Sequence, residues 1–236
     1  MLAAQDGCRE QTVNWNELLK AFALPNPSVA QMLHNAAWVA VFSWLTASLL
    51  PLNWRPFRWL LASVFWAGLM ALWDAPLFWL GLAFQSPSLL TLCLCVMAAW
   101  VDMRITSRQI FLKPEALSGA AVVWLGLVLF GWALVLDLWG WWPTDLYLWG
   151  FTTGPLWLAW GMTGVWMGWV GFQNTVSANW HSCAATCVLM AGVLFVLTHA
   201  PTGNAWDALL DPWLWLYAHL GLMRSVRLQR TRISHS

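Results

Sequence analysis

Long apolar runs separated by short polar stretches make up most of the sequence from residue 28 to residue 225. A helix that crosses a bilayer needs about 20 apolar residues, because each residue rises about 1.5 Å and the hydrocarbon core is about 30 Å thick. The chain has seven candidate spans, at 28–50, 57–73, 87–103, 118–138, 155–173, 180–200 and 212–225. The pattern therefore predicts an all-α integral membrane protein built as a seven-helix transmembrane bundle.

Two weaker apolar patterns lie outside these runs. Apolar residues recur at helical spacing between Thr12 and Phe22, which predicts a short amphipathic helix on the membrane surface. Leu77–Phe84 is too short to cross and predicts a half-helix or a surface segment. The first 27 residues also lack the charged start and apolar core of a cleaved signal peptide. Three regions follow: an extracytoplasmic segment (1–27), the seven-span domain (28–225) and a basic cytoplasmic tail (226–236).

The distribution of charge orients this bundle. If all seven segments cross, nine of the eleven basic residues lie on one face. These are Arg55, Arg58, Arg104, Arg108, Lys113, Arg224, Arg227, Arg230 and Arg232. Eight of the ten acids lie on the other face, and the basic face is cytoplasmic by the positive-inside rule. We therefore expect an N-terminus outside, a C-terminus inside and a location in the bacterial inner membrane.

A second pattern, independent of charge, predicts the same topology. Each helix that enters from the outer face begins with a small or polar residue followed by proline. The four pairs are Asn26-Pro27, Ser86-Pro87, Gly154-Pro155 and Asp211-Pro212. Asn, Ser, Gly and Asp are favoured helix N-caps, and proline at the first helical position loses no helical hydrogen bond.

Composition agrees with a membrane protein. Hydrophobic residues make up 60% of the chain and charged residues 9%, against about 25% charged in soluble domains. The 23 tryptophans suit the headgroup level of a bilayer, where indole rings concentrate. A net charge of +1 gives no sign of a nucleic-acid partner. The expected partners are membrane lipids and other integral membrane proteins.

Four glycines form a stripe along one face of the fifth span. They are Gly161, Gly164, Gly168 and Gly171. The first interpretation is close helix packing, because small residues let helices approach in lipid and the sixth span offers Cys183, Ala184, Cys187 and Ala191 as a matching surface. The alternative is a flat ligand such as a quinone or another isoprenoid lying against the bare backbone.

Several polar side chains within apolar runs are candidate ligand-binding groups. His34, His199 and His219 could bind a haem, and Trp66 could line a quinone or pigment pocket. Intramembrane ionisable residues often mark functional sites. However, the sequence contains no ligand spacing typical of a metal site, and no cofactor is evident.

The acids of the outer loops are candidate catalytic groups. Asp211 is explained as a helix cap, and Asp74 could cap the 77–84 segment. Asp145 and Asp207 have no such explanation, so these two carboxylates could serve acid–base chemistry.

Three functions remain open on these observations. The first is a non-catalytic subunit or assembly factor of an inner-membrane complex, because buried charge is scarce and the helix faces suit lateral contacts. The second is a membrane-embedded enzyme or carrier that acts on an isoprenoid or lipid at the outer leaflet. The third is a redox protein that binds a quinone, haem or pigment.

Overall fold

A computed structural model describes residues 24–50, 55–72, 79–80, 85–104, 116–141, 145–173 and 178–233. These residues contain nine helices and no strand, which confirms the all-α class. The helices are α1 (Pro27–Leu49), α2 (Arg55–Leu72), α3 (Leu89–Arg104), α4 (Ala116–Leu138), α5 (Leu146–Trp149), α6 (Gly154–Gln173), α7 (Ala178–Thr198), α8 (Ala205–Leu209) and α9 (Pro212–Ile233).

Each of the seven predicted apolar segments coincides with one long helix. One of these helices, α4, is long and apolar enough to cross a membrane, through the window Ala121–Leu138. Three others contain shorter apolar helices, at Phe57–Leu72, Leu89–Met103 and Ser182–Thr198. The last helix continues to Ile233, so part of the predicted tail is helical and continuous with the seventh segment.

Some sequence predictions fall outside the described residues. The predicted surface helix at 12–22 lies there, as does Asp74, the candidate cap of the 77–84 segment. Of the segment 77–84, only Trp79 and Leu80 are described.

The long helices form one connected group, and the pair of α4 and α9 packs beside it. Helix α1 contacts α2 and α3, α3 contacts α7, and α7 contacts α6. Helix α9 packs along α4, and its aromatic side chains also reach α1 through Trp213 with Trp38 and Tyr217 with Trp44. The short α8 lies against α3, α6 and α7.

Tryptophans fit over glycines where α4 and α9 meet. A side chain at Gly131 would place its Cβ 2.3 Å from the indole of Trp215, and one at Gly221 would lie 2.9 Å from Trp124. The Trp215 indole also donates to the carbonyl of Val128 at 3.2 Å. The bare backbone of each glycine therefore lets a large ring from the other helix approach closely.

Gly131→Ala is expected to destabilise the fold by about 1–3 kcal/mol, because the added methyl group overlaps Trp215. Gly126→Ala is the matched control. Gly126 lies on the same helix as Gly131, and a Cβ there would meet no atom within 4 Å. Both substitutions raise helix propensity by about the same amount, so their difference isolates the steric effect. Unfolding in mixed micelles measures it, and equal stability of the two variants would contradict the packing argument.

Candidate functional site

Asp211 is the acceptor that joins the starts of two helices. Its Oδ1 accepts the backbone N–H of Leu214 at 2.8 Å, so Asp211 caps α9 as the sequence predicts. Its Oδ2 accepts the backbone N–H of Ser88 at 2.7 Å and the hydroxyl of Thr91, both at the start of α3. Asp211 is 4% exposed, and Ser88 and Thr91 are also buried. One carboxylate therefore satisfies donors from both helix N-termini.

The predicted caps of the other helices are correct in one case and displaced in two. Asn26 caps α1 by accepting the N–H of Ser28 at 3.0 Å. Ser86 does not cap α3. Ser88 does, because its hydroxyl accepts the N–H of Thr91, which moves the helix start by two residues. Gly154 is the first residue of α6 itself and not its cap.

Beside Asp211, the short helices α5 and α8 and the turns at 150–153 and 199–204 form a compact unit, here called the cap. Asn204, which is fully buried, is its centre. The Asn204 side chain accepts the N–H of Trp206 at 2.9 Å and donates to the carbonyl of Tyr147 at 3.0 Å. The Trp206 indole donates to the carbonyl of Leu146 at 2.8 Å. The cap is therefore joined across about 60 residues of sequence by side-chain to backbone hydrogen bonds.

Glycine is required at two positions of the cap. A Cβ at Gly150 would lie 1.9 Å from Oδ1 of Asn204, so the two segments could not approach as they do. Gly203 has φ +84°, in the left-handed region that glycine adopts without steric cost. In the same turn the Ala200–Pro201 peptide bond is cis and His199 has φ +54°.

Asp207 is the ionisable group at the surface between α5 and α8. Its Oδ2 accepts the phenol O–H of Tyr147 at 3.0 Å and the hydroxyl of Thr202. Burial raises the pKa of Asp207 above its ordinary value, although the two hydrogen bonds act to lower it. Burial and the nearby Asp207 carboxylate raise the pKa of the Tyr147 phenol to about 12. The phenol is therefore protonated at neutral pH and acts as a hydrogen-bond donor to Asp207.

The two acids near the start of α5 have different surroundings. Asp145 occupies the N-cap position of α5, but its exposed side chain makes no capping hydrogen bond. Asp137, at the end of α4, accepts the N–H groups of Leu146 at 3.1 Å and of Tyr147 at 2.7 Å instead. The structure does not bring Asp145 into the Asp207 hydrogen-bond cluster.

Sequence reasoning missed most of this cluster. Asn204 followed by an acid at Asp207 is a helix-start pattern that could have been found. Tyr147 and Thr202 carry no local signal, since Tyr147 is 60 residues from Asp207 and meets it only through the fold.

The three candidate histidines that the structure describes lie at separate places. His34 is half-buried on α1 and its ring meets Trp38 edge to face. His199 stacks on Phe195 at the end of α7. On α9, Nδ1 of His219 lies 2.8 Å from the carbonyl of Trp215, to which it donates. In the part of the chain that the structure describes, no group of three or more His, Cys, Asp or Glu side chains could hold a metal ion.

Trp66 has a partner for its indole N–H. The group donates to the hydroxyl of Thr46 at 2.9 Å, and the ring stacks on Phe42 with centroids 4.6 Å apart. Helix α1 therefore holds the candidate pocket residue of α2 in place.

The glycine stripe of α6 is open. A Cβ at Gly161, Gly164 or Gly168 would meet no atom within 4 Å, and all three residues are exposed. The expected packing of these three glycines on α7 is therefore not made. Instead, Trp160 of α6 packs over Gly192 of α7, where an added Cβ would overlap the Trp160 indole. Gly171 lies in α6, but its surroundings are outside the described residues.

A second polar cluster lies at the far end of α3 from Asp211, where α2 begins and α3 ends. Arg58 forms an ion pair with Asp102, which also accepts the indole N–H of Trp59 at 2.7 Å. Arg58 is 7% exposed, and it reaches the carbonyl of Leu50 just after α1. The cluster therefore ties three helix ends together.

Comparisons with protein-family models, with curated proteins and with solved structures return no match to this chain. Its function must therefore be argued from its own residues.

Proposed function

We propose that the protein is a non-catalytic subunit or assembly factor of a bacterial inner-membrane complex. The observation that carries this proposal is that the partly or fully buried acids bind other segments of the chain. Asp102, Asp137, Asp207 and Asp211 all accept hydrogen bonds from groups that join different parts of the fold. A catalytic carboxylate has to face a substrate, whereas these four face other segments of the chain.

The register between α4 and α9 supports a membrane-spanning arrangement. Trp215 lies level with residues 128–131 and Gly221 level with Trp124, because the two helices run antiparallel. Extending this register places Arg224 level with Ala121. The window Ala121–Leu138 has 18 residues and is therefore about 27 Å long, close to the hydrocarbon thickness of about 30 Å. Arginine thus lies at one edge of the apolar band.

Asp137 and Asp207 lie at the other edge of this band. Asp137 adjoins Leu138, and its carboxylate binds the backbone of Tyr147, whose phenol binds Asp207. Arginines at one edge and acids at the other support the proposed topology, with seven spans, the N-terminus outside and the C-terminus inside. Only 17% of the Ala121–Leu138 window is buried, whereas the core helix of a soluble protein is mostly buried. The exposed apolar surface suits contact with lipid or with other membrane helices.

The open face of α6 is where the proposal locates a contact with a partner helix. Gly161, Gly164 and Gly168 leave bare backbone there, and small residues at such positions allow membrane helices to approach closely. This contact distinguishes a subunit of a complex from a protein that acts alone.

Gly164→Leu is expected to lower recovery of copurifying membrane protein by tenfold or more, because the leucine holds the partner helix away from α6. The measurement is affinity purification from membranes in mild detergent, with quantitative mass spectrometry. Gly126→Leu is the matched control, since Gly126 is equally open but belongs to α4. Purification of the wild-type chain as a lone monomer would contradict the proposal.

A second function has one specific observation in its favour. Asp207 and Tyr147 form a carboxylate–phenol pair whose pKa values are both raised, as is often found among groups that exchange protons with a substrate. An enzyme or carrier for an isoprenoid or lipid at the outer leaflet could use this pair. Loss of activity in cells for both Asp207→Ala and Tyr147→Phe, with the copurifying proteins retained, would favour it over the first proposal.

A further inference from the structure

The last helix, α9, leaves one of its faces exposed. The side chains of this exposed face follow helical spacing and are Leu216, Tyr217, Leu220, Met223, Arg224 and Arg227. The first four are apolar or aromatic and are between 45% and 53% exposed. The two arginines come last, near the edge of the apolar band that Ala121 marks on α4. The exposed face of α9 is therefore apolar along the band and cationic at its edge.

Aromatic side chains of two other helices border this face. The ring of Tyr217 meets Trp44 of α1 and Trp124 of α4 edge to face, with centroids 5.7 and 5.6 Å apart. Trp124 can lie this close to α9 because it packs over Gly221, where a Cβ would be 2.9 Å from its ring. Both indoles are half-buried and thus held by the bundle. The three rings form a rigid apolar surface that suits a flexible hydrocarbon chain.

The two arginines of this face lack an acidic partner in the part of the chain that the structure describes. Arg224 and Arg227 are exposed, and the ion pair at this edge joins Arg58 to Asp102 instead. Residues three apart on a helix are neighbours on its surface, so both guanidinium groups can reach a single anion. Phosphate is the anion whose oxygens best match the paired N–H groups of arginine.

We propose that the exposed face of α9 binds an anionic phospholipid. Its phosphate lies at Arg224 and Arg227, and an acyl chain lies along Leu220 and the ring of Tyr217. Tyr217 is seven residues before Arg224, about 10 Å along the helix, which places the phenol at the depth of the acyl chains. The inference rests on the membrane-spanning arrangement proposed above and is independent of the role as a subunit.

The two ends of this face together select an anionic lipid over simpler occupants. A zwitterionic lipid offers the same hydrocarbon but has no net charge to neutralise the arginines. Free phosphate neutralises the arginines but leaves the apolar side chains uncovered. The cytoplasmic leaflet, which the arginines face in the proposed topology, is the one rich in anionic lipids.

The first test is native mass spectrometry of the purified full-length protein in detergent, titrated with phosphatidylglycerol or with phosphatidylcholine of the same acyl chains. The wild-type protein is expected to retain phosphatidylglycerol in preference. Arg224→Gln should weaken this binding about fivefold, which is the usual contribution of one arginine at an anionic membrane surface. Adding Arg227→Gln should weaken it about fivefold again. Inorganic phosphate should not displace the lipid.

Arg232→Gln is the matched control for charge. It removes the same charge from the same helix, but position 232 lies on another face by helical register. Its affinity for phosphatidylglycerol should equal that of the wild-type protein. Circular dichroism checks the fold of each variant.

A second test locates the acyl chain. Phosphatidylglycerol with a photoactivatable diazirine in its acyl chain is added in detergent in an equimolar amount, and cross-linked peptides are identified by mass spectrometry. Cross-links are expected in peptides that cover 38–47 and 213–223. Leu220→Trp should reduce them, because the larger ring fills the space beside Tyr217. Val193→Trp is its control, since Val193 is 44% exposed on α7.

Three results would overturn the lipid site. The first is equal retention of both phospholipids by the wild-type protein. The second is an equal loss of affinity in Arg232→Gln and Arg224→Gln, which would show a general attraction between charges. The third is cross-linking that Leu220→Trp leaves unchanged, and this result stands even if Arg224→Gln fails to fold.

The lipid site and the subunit role can fail separately. Arg224→Gln is expected to recover the same copurifying membrane protein as the wild-type chain, because the proposed partner contact lies on α6. Loss of copurifying protein in Arg224→Gln, with phosphatidylglycerol still bound, would show that a protein occupies the exposed face of α9 and would overturn the lipid site.

Discussion

Asp211→Ala is expected to lower the free energy of unfolding by about 3–5 kcal/mol. Loss of an N-cap costs about 1 kcal/mol, and each buried donor left without an acceptor costs about 1–3 kcal/mol. The variant removes the cap of α9 and also the acceptor for the Ser88 N–H and the Thr91 hydroxyl. Unfolding by denaturant in mixed micelles measures the loss, and helicity measured by circular dichroism shows whether the variant still folds.

Asn26→Ala is the matched control for Asp211→Ala. Both residues are N-caps directly followed by proline, but Asn26 is exposed and its side chain bonds to Ser28 of its own helix. Its loss should cost about 1 kcal/mol. Equal effects of the two substitutions would mean that the bonds from Asp211 to α3 add nothing to stability.

Asp102→Ala is expected to cost about 3 kcal/mol at the other end of the bundle. The substitution leaves the buried guanidinium of Arg58 without its counterion and the indole of Trp59 without its acceptor. Removing one partner of a buried ion pair costs about 3–5 kcal/mol, and the partial exposure of Asp102 places this case at the lower end. The same unfolding assay applies.

The double variant Arg58→Leu with Asp102→Leu tests the origin of that cost. Replacing both members of a buried pair by apolar residues of similar volume is often neutral or stabilising. The double variant should therefore recover most of the stability that Asp102→Ala loses. Failure to recover it would show that the Trp59 bond or the Leu50 contact matters more than the isolated charge.

The sequence predicted the positions of the long helices well because their signal is local. Runs of apolar residues bounded by Asn26-Pro27 and Asp211-Pro212 correctly located the starts of α1 and α9. The start of α3 was misplaced because two serines flank Pro87, and proline there allows either to be the cap. The helix starts after the second serine, Ser88, whose N–H also donates to Asp211, 123 residues away. The local sequence pattern could not reveal this long-range contact.

The candidate site was harder to predict because its parts are distant in sequence. Asp207 was singled out as a candidate catalytic acid, which stays a prediction, and Tyr147 and Thr202 were not foreseen as its partners. The glycines show the same difficulty. Gly131 and Gly161 both belong to apolar helices, yet one fits against Trp215 and the other is open. Which face of a helix meets a neighbour depends on the arrangement of the helices, and periodicity alone does not supply it.

The bonds from Asp211 to α3 also have a consequence for synthesis of the chain. The Ser88 N–H and the Thr91 hydroxyl emerge about 120 residues before their acceptor. At about 5–20 residues per second, the ribosome needs about 6–25 s to reach Asp211. Throughout this interval the start of α3 lacks the carboxylate that it binds in the finished protein. Arrival of the last helix therefore completes a polar contact begun in the first half of the chain, and a nascent chain that stops before α9 keeps two uncompensated donors.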